Sequence, residues 1–265
     1  MLGRLGSLEV RLADGALDVR RAQRLRYAIF YEEMSAAAAP LHLLTRRDLD
    51  RFDRICDHLL VLDEAAAAAG ARNVTVATCR MLRQEVAERH GGFYTAGEFR
   101  VAELLQRQRG GRFLELGRSC VLRAYRNTRT VELLWHGIWS YAVRHGIDAL
   151  IGCASFAGTD PDRLALPLSY LHHYAAAPAA WRLEAEPGRH VEMNRMPKAQ
   201  IDSKAAVANL PPLIKGYLRL GAYVGSGAVV DRKFGTTDVA IVLPVSAINA
   251  RYLRHFGPTA ARHAA

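Results

Sequence analysis

Alternation of apolar and polar residues is clearest in the middle of the chain, where it predicts a strand from Phe113 to Leu122. From Thr130 onward apolar residues recur at helical spacing, and a helix is expected to end near His145, which a glycine follows. The apolar run Ala149 to Cys153 then predicts a second strand. Together these elements predict a β-α-β unit with a crevice where the first strand meets the helix.

The pattern on either side of this unit predicts an α/β fold with a mixed central sheet flanked by helices. We expect further strands at Leu8 to Leu12, His58 to Leu62, Val74 to Leu82, Ala228 to Asp231 and Asp238 to Pro244. We expect further helices around Val19 to Ile29 and at Glu98 to Gln106, Asp162 to Tyr174, Pro211 to Gly221 and Ser246 to His255. We expect irregular structure at Ser35 to Arg47, a loop or mobile lid, at the connector Ala65 to Ala69, at Trp181 to Met196 and in a frayed C-terminal tail.

Length and composition favour a single domain over residues 1–265. The chain has 50% hydrophobic residues, enough for a full core, and no break in composition divides it. Its four cysteines are isolated and form no CxxC pair, so reduced thiols and no metal site are expected. No segment approaches the roughly 20 apolar residues of a membrane span, which predicts a cytoplasmic protein, at most peripheral to a membrane.

The charge of the chain predicts an acidic partner. The formal net charge is +10, and the 36 lysines and arginines are dispersed without interleaved aromatic residues. An acidic carrier protein or an anionic membrane surface fits this distribution better than nucleic acid does, and we expect no nucleic acid partner.

The polar turn before the central helix is a candidate phosphate site. It supplies backbone N–H groups, hydroxyls and guanidinium groups at the positive end of a helix dipole, from Arg126, Asn127, Thr128, Arg129 and Thr130. The alternative is an ordinary capped helix, because threonine is common at helix starts.

Glu115 is the main candidate for chemistry. A carboxylate inside a central strand is costly to bury unless it is paired, and Arg118 or Arg80 could pair with it. It is either a member of a structural ion pair or a general base that takes a proton from an ammonium group. Ser155 follows the second strand of the unit, where open α/β sheets bind ligands.

Further charged residues suggest an amino-acid site. Asp50 and Asp53 could hold a cationic substrate, and Arg26 and Arg80 could bind a substrate carboxylate through their planar guanidinium groups. The alternative is a solvated charged surface. No GxSxG or Walker motif supports a serine hydrolase or a nucleotide-driven enzyme.

Three runs of sequence carry a resemblance to a known family. ELGRSCVLRAYRNTRTVELLWHGIWSYA, the following GCASF and the C-terminal PPLIKGYLRLGAYVGSGAVVDRKFGTTDVAIVLP resemble the bacterial L-ornithine N-acyltransferases that make lyso-ornithine lipid. The resemblance covers nearly the whole chain, and relatives that acylate glycine or glutamine look similar. It implies a GNAT-like fold, a 3-hydroxyacyl thioester of acyl carrier protein as donor, and the α-amine of ornithine as acceptor.

A weaker resemblance is to the acyl-homoserine-lactone synthases. It rests on the order Arg26, Phe30, Asp50 with Asp53, Arg80, and Glu115 with Arg118. It implies that these acids and arginines shape the acceptor side of the site and that the glutamate is the base. The tryptophan that this resemblance implies soon after Phe30 is absent, and the glycine-rich pyrophosphate loop of the wider GNAT pattern is replaced by residues 126–130. The second departure agrees with a phosphopantetheine arm on a carrier protein in place of free coenzyme A.

These expectations combine into direct acyl transfer without a tightly bound cofactor. Arg26 or Arg80 would bind the carboxylate of ornithine, and Glu115, directly or through water, would deprotonate its α-ammonium. Backbone N–H groups around Val121 would stabilise the oxyanion. The alternatives are acylation of another amino acid, lactone synthesis from S-adenosylmethionine, and a membrane-binding module without enzymatic activity.

Overall fold

The computed structural model describes residues 1–71, 74–248 and 252. In this part of the chain the strands are β1 (Gly3–Leu5), β2 (Leu8–Leu12), β3 (Asp57–Asp63), β4 (Thr75–Arg83), β5 (Phe113–Val121), β6 (Ala149–Ala157), β7 (His190–Val191), β8 (Tyr223–Asp231) and β9 (Thr236–Pro244). The α-helices are α1 (Gly15–Tyr27), α2 (Pro40–Thr45), α3 (Glu64–Ala68), α4 (Gln84–Arg89), α5 (Val101–Arg107), α6 (Thr128–Arg144), α7 (Ala165–Tyr174), α8 (Ser203–Asn209) and α9 (Pro212–Leu220). Among the described residues, no helix is long and apolar enough to cross a bilayer.

The chain divides into two compact units, and neither is one continuous stretch of sequence. The first unit contains Met1–His90 and Leu116–Ile147, and the second contains Gly91–Glu115 and the described residues 148–248. The boundary between Glu115 and Leu116 falls inside β5. Each unit therefore includes part of this strand.

In the first unit, β1, β2, β3 and β4 pair in that order, and every pair is antiparallel. Helix α6 packs on β2 and β3 through Gly137. A Cβ atom added at Gly137 would lie 2.6 Å from Val10 Cγ2 and 3.0 Å from Leu59 Cδ2. Glycine is therefore required where the helix comes closest to the sheet, because real side chains do not approach so near.

Helix α1 packs on the end of β5, also within the first unit. Leu25, Ile29 and Cys120 form a buried cluster, with Phe30 and Leu122 at its edge. A π-helical turn, Ala28–Glu33, continues α1 and contributes Ile29 and Phe30 to this cluster.

The second unit contains a mixed sheet. The first residues of β5 pair parallel with β6, as Phe113 with Ala149 and Glu115 with Ile151. β6 then pairs antiparallel with β9 along its whole length, β9 pairs with β8, and β8 pairs with β7. The predicted α/β class, the mixed sheet and the parallel strands of the central β-α-β unit are confirmed.

Several element predictions were wrong. Ser35 to Arg47 is not wholly a loop, because it contains α2, and the connector expected at Ala65 to Ala69 is helical except for Ala69, which follows the end of α3. Both helices have too few turns to show a clear apolar period, although Pro40 at the start of α2 is a recognised signal. Helices α4 and α8 were missed for the same reason. Of the helix expected at residues 246–255, the first positions form a 3-10 turn (Val245–Ala247), and most of it, with the tail, lies outside the described residues.

Candidate active site

The first unit contains a network of six charged side chains, which we name the acid–arginine network. Its members are Arg26, Arg80, Arg118, Asp48, Asp50 and Asp53. Five of them were singled out from the sequence as site or binding residues, and the structure brings these five together. Asp48 is the addition, and it follows α2 in the same acidic segment as Asp50 and Asp53.

The local backbone holds the acids and Arg118 in place. Asp50 caps the 3-10 turn Arg51–Arg54, where its Oδ1 accepts a hydrogen bond from the Phe52 N–H at 2.8 Å. Arg118 lies within β5 but has a φ of +52°. This left-handed conformation costs roughly 1–2 kcal/mol for a residue with a Cβ, and it interrupts the strict alternation predicted for this strand.

Arg26 is fully buried in the centre of the network. Its Nε donates to Asp48 Oδ2 at 2.8 Å, and its Nη2 donates to Asp53 Oδ1 at 2.8 Å and to the Asp48 carbonyl oxygen at 2.7 Å. Asp53 also accepts a hydrogen bond from Gln23 Nε2 at 3.0 Å. The predicted role of Arg26 as a ligand of a substrate carboxylate would therefore require this network to open.

The other two arginines contact the more accessible part of the network. Arg80 Nη1 donates to Asp50 Oδ1 at 2.6 Å and to Asp53 Oδ1 at 3.2 Å. Arg118 lies 3.3 Å from Asp48 through Nε and 3.6 Å from Asp50 Oδ2 through Nη2. The side chains of Asp50 and Arg118 are 17% and 11% exposed, more than the other members, so this pair forms the edge of the network that a substrate could reach.

The arginines lower the pKa values of Asp48 and Asp50. Burial alone would raise the pKa of Asp48, but Arg26, Arg118 and the Tyr31 hydroxyl together hold this pKa below its ordinary value. Burial opposes ionisation of Asp50 too, and Arg80, Arg118 and Arg26 outweigh it, so the pKa of Asp50 is also lowered.

Glu115 lies in the second unit and is buried. Its Oε1 accepts a hydrogen bond from the Thr95 N–H at 2.6 Å, and its Oε2 accepts one from the Tyr94 N–H at 3.0 Å. These bonds fix the orientation of the carboxylate. Its role as a general base stays a prediction.

The turn before α6 is built as a capped helix start. Asn127 Oδ1 accepts a hydrogen bond from the Thr130 N–H at 3.1 Å, and Thr130 is buried. Arg126 Nη2 donates to Glu33 Oε2 at 2.8 Å, and Arg126 Nε donates to the Val121 carbonyl oxygen at 3.0 Å. Thr128 and Arg129 are exposed, whereas the Arg126 guanidinium is already engaged by a carboxylate. Phosphate binding here stays a prediction.

Phe30 and Ser155 complete the set of predicted site residues. Phe30 is half-buried and packs against the cluster of α1 and β5. Ser155 is exposed on β6 and pairs with Asp238 of β9.

The sequence did not indicate a second group of charged side chains, which we name the carboxylate cluster. It consists of Glu98, Asp231 and Asp238 in the second unit, whose carboxylate oxygens lie within 4.8 Å of one another. Glu98 also contacts Cys153 Sγ at 3.5 Å and Arg189 Nη2 at 3.2 Å. Three oxygen donors so arranged could hold a divalent cation.

Burial, and then the nearby charge of Asp238, raise the pKa of Glu98 to about 7. Glu98 can therefore gain and lose a proton near neutral pH. Burial and Glu98 in turn raise the pKa of Cys153 well above its ordinary value, which leaves this thiol protonated and poorly suited to nucleophilic attack. Glu98 is far in sequence from Asp231 and Asp238, which belong to two successive strands, so no local motif could have revealed the cluster.

Comparisons with known proteins agree in the type of domain and the name. Residues 25–136 match the family model described as an acetyltransferase (GNAT) domain, which confirms the GNAT-like fold predicted from the sequence. The chain is 54% identical over 262 residues to an L-ornithine N(alpha)-acyltransferase of Rhizobium meliloti (strain 1021), covering 99% of this chain and 88% of that protein. It is 50% identical over 262 residues to a protein of the same name from Brucella abortus (strain 2308), covering 99% and 93%. Among solved structures, the AHL synthase LasI is similar with a TM-score of 0.49 and 11% identity over 94% of each chain.

Proposed function

This chain belongs to the family of the L-ornithine N(alpha)-acyltransferases, and we propose that it transfers a 3-hydroxyacyl chain from acyl carrier protein to the α-amine of L-ornithine, giving lyso-ornithine lipid. The observation that carries this proposal is the 54% identity over 99% of the chain to a protein of this name. The acid–arginine network supplies charged groups of the kind that an amino-acid acceptor needs.

The exposed edge of the acid–arginine network suits the acceptor. Ornithine carries one carboxylate and two ammonium groups, so a site for it needs a cation and an anion side by side. The guanidinium of Arg118 would bind the carboxylate, and Asp50 would bind an ammonium group. Arg26, Asp48 and Asp53 would hold these two side chains in position from behind.

The reaction requires one proton to leave the α-ammonium before attack. Glu115, predicted as the base from the sequence, and Glu98, whose pKa is near neutrality, are the two candidates for the proton acceptor. The free amine then forms a C–N bond with the thioester carbonyl carbon. The C–S bond breaks as the tetrahedral intermediate collapses, and the phosphopantetheine thiolate leaves and takes up a proton.

The donor side of the proposal rests on charge. The net charge of +10 would attract the acidic carrier protein, and residues 126–130 would contact the phosphate of its arm. We expect the enzyme to work in the cytoplasm, with no cofactor beyond this thioester.

The test is to incubate the purified protein with a 3-hydroxyacyl thioester of acyl carrier protein and ornithine, and to identify the product by mass. A product with the mass of N-acylornithine, and none from S-adenosylmethionine, is expected. Glycine and glutamine in place of ornithine test the acceptor, and the acyl-coenzyme A thioester tests the donor. Consumption of the thioester with glycine or glutamine, but not with ornithine, would refute the assignment.

Two variants separate the candidate bases. Replacing the true base by its amide, as Glu115→Gln or Glu98→Gln, should lower kcat by about 10²–10⁴ and remove the rise of kcat with pH. The other variant should keep that rise. If both variants keep the wild-type pH profile, neither residue is the base.

A further inference from the structure

Helix α2 displays an apolar surface to solvent, and we name it the leucine helix. Leu41, Leu43 and Leu44 are 57%, 58% and 84% exposed. Single exposed leucines are ordinary on protein surfaces, but three within four consecutive residues form a contiguous apolar patch.

The buried side of the leucine helix is polar. His42 is buried, packs against the ring of Tyr31 in a tilted arrangement with 5.0 Å between the ring centroids, and contacts the Leu49 carbonyl oxygen through Nε2 at 3.1 Å. Its Nδ1 accepts a hydrogen bond from the Ala39 N–H at 3.4 Å. A neutral ring with the hydrogen on Nε2 satisfies both contacts.

The position of His42 explains why the leucines point outward. Successive residues of an α-helix differ in direction by about 100°, so Leu41 and Leu43 flank the direction of His42 and Leu44 lies nearly opposite to it. Leu44 is accordingly the most exposed of the three. The local fold therefore presents these leucines to solvent in a fixed orientation.

Arginines follow the leucine helix directly. Arg46, at its C-terminal end, is exposed, contacts Glu32 and lies over the ring of Tyr27 at 5.7 Å. Arg47 comes next, and Arg51 and Arg54 are exposed in the 3-10 turn that follows. An apolar helix face followed by arginines is the arrangement that binds the boundary between acyl chains and anionic head groups.

We propose that the leucine helix docks this enzyme on an anionic bilayer surface, with Leu41, Leu43 and Leu44 in the acyl region and Arg46 and Arg47 at the head groups. The positive net charge of the whole chain favours this partner. The choice of a lipid surface also rests on the proposed function, because an N-acylated amino acid is an amphiphile that must pass into a membrane. An acidic carrier protein would be attracted by the arginines but would leave the leucines unexplained.

The test is sedimentation of the full-length protein with vesicles. One set contains phosphatidylcholine alone, and the other an equimolar mixture of phosphatidylcholine and phosphatidylglycerol. The wild type should bind the anionic vesicles more tightly, and added salt should weaken this binding. The triple variant Leu41→Ser, Leu43→Ser, Leu44→Ser should bind both sets at least about tenfold more weakly.

Matched variants separate the contributions. Arg46→Ala and Arg47→Ala should each weaken binding to anionic vesicles about fivefold and leave phosphatidylcholine binding unchanged. Leu17→Ser and Val143→Ser are the controls, because these residues are 58% and 55% exposed elsewhere in the first unit. Both controls should bind as the wild type does.

Several outcomes would overturn the proposal. One is vesicle binding by the triple serine variant equal to that of the wild type, and another is no binding by the wild type. If the triple variant has a raised KM for the acyl thioester but still binds vesicles, the leucines contact the acyl chain of the donor instead. If light scattering finds a dimer in the wild type and a monomer in the triple variant, a second copy of the chain covers these leucines instead. Acyl transfer to ornithine in the absence of vesicles should be unchanged in the triple variant, so failure of the proposed function is detected separately, in the wild type.

Discussion

The two groups of buried charged side chains in this protein differ in how far their positive and negative charges cancel. The acid–arginine network of the first unit contains three arginines and three aspartates, so its formal charges cancel. In the carboxylate cluster of the second unit, three acids lie together and Arg189 contacts Glu98. The network lowers the pKa values of Asp48 and Asp50, whereas burial and a like charge raise that of Glu98 to about 7.

Because of this difference, the network is suited to positioning a substrate and the cluster to exchanging a proton. A compensated network keeps Asp48 and Asp50 ionised and holds its members in one geometry, which suits substrate orientation. A carboxylate whose charge is only partly compensated, such as Glu98, changes its protonation near pH 7, which suits proton transfer. Substitution of single members of either group tests this difference.

Removal of the central cation should have the largest effect. Arg26→Met leaves Asp48 and Asp53 buried with less compensation, and we expect a loss of about 3–5 kcal/mol in the free energy of unfolding. Urea denaturation measures this loss, with Arg20→Met, an exposed position on the same helix, as the control. A loss no larger than that of the control would mean that the network does not stabilise the fold.

In the carboxylate cluster, by contrast, the variant Glu98→Gln should raise the free energy of unfolding, by an amount that depends on pH. Unfolded Glu98 ionises near pH 4.5 and the folded residue only near 7, so the folded state holds the extra proton between these values. Stability due to this group is therefore present below about pH 4.5 and is lost as the pH rises through about 7. The glutamine variant should gain up to about 3 kcal/mol relative to the wild type between these limits. A difference in unfolding free energy that does not vary with pH would contradict the raised pKa.

The contribution of a neutral donor to the network should be smaller. Tyr31 donates a hydrogen bond to Asp48 Oδ1 at 3.0 Å, and Tyr31→Phe should cost about 2 kcal/mol of unfolding free energy. This loss in unfolding free energy should persist as the pH is lowered and disappear once Asp48 is protonated. Tyr27→Phe, a change in the ring stacked on Tyr31, is the control, and an equal loss in both variants would assign the effect to ring packing.

The smallest effect is expected at the margin of the cluster. Asp231 is the weaker of two like charges that raise the pKa of Glu98, after Asp238. Asp231→Asn keeps an oxygen acceptor for the N–H groups of Lys233 and Phe234. It should lower the pKa of Glu98, and with it the pH midpoint of the Glu98 effect on stability, because it removes a charge interaction worth less than about 1 kcal/mol. Asp238→Asn should move it further, and the reverse order would contradict the assigned geometry.

The long periodic strands and helices, and the oppositely charged residues that could pair, were predictable from the sequence. The alternation before Val121 and the apolar period of α6 fixed the central strand and helix, because each extends over many residues. Five of the six members of the network were singled out from the sequence, but their burial was not predicted, since an arginine such as Arg26 is usually a surface residue.

What escaped prediction depends on tertiary contacts. The left-handed conformation of Arg118 leaves no signal in residue type, because glycine or asparagine would be expected there. Glu98 and Asp238 come together only through the pairing of distant strands and loops. The leucine helix was too short for its period to be recognised.

Two buried cysteines give the first unit an internal reporter. Cys79 and Cys120 are both buried, and burial raises their pKa values to about 11 and about 12. A thiol-specific reagent can react rapidly with these two side chains only after the surrounding structure opens. Their reaction rates, resolved from that of the partly exposed Cys56, would thus report the opening free energy of the first unit in the native enzyme, without an added label.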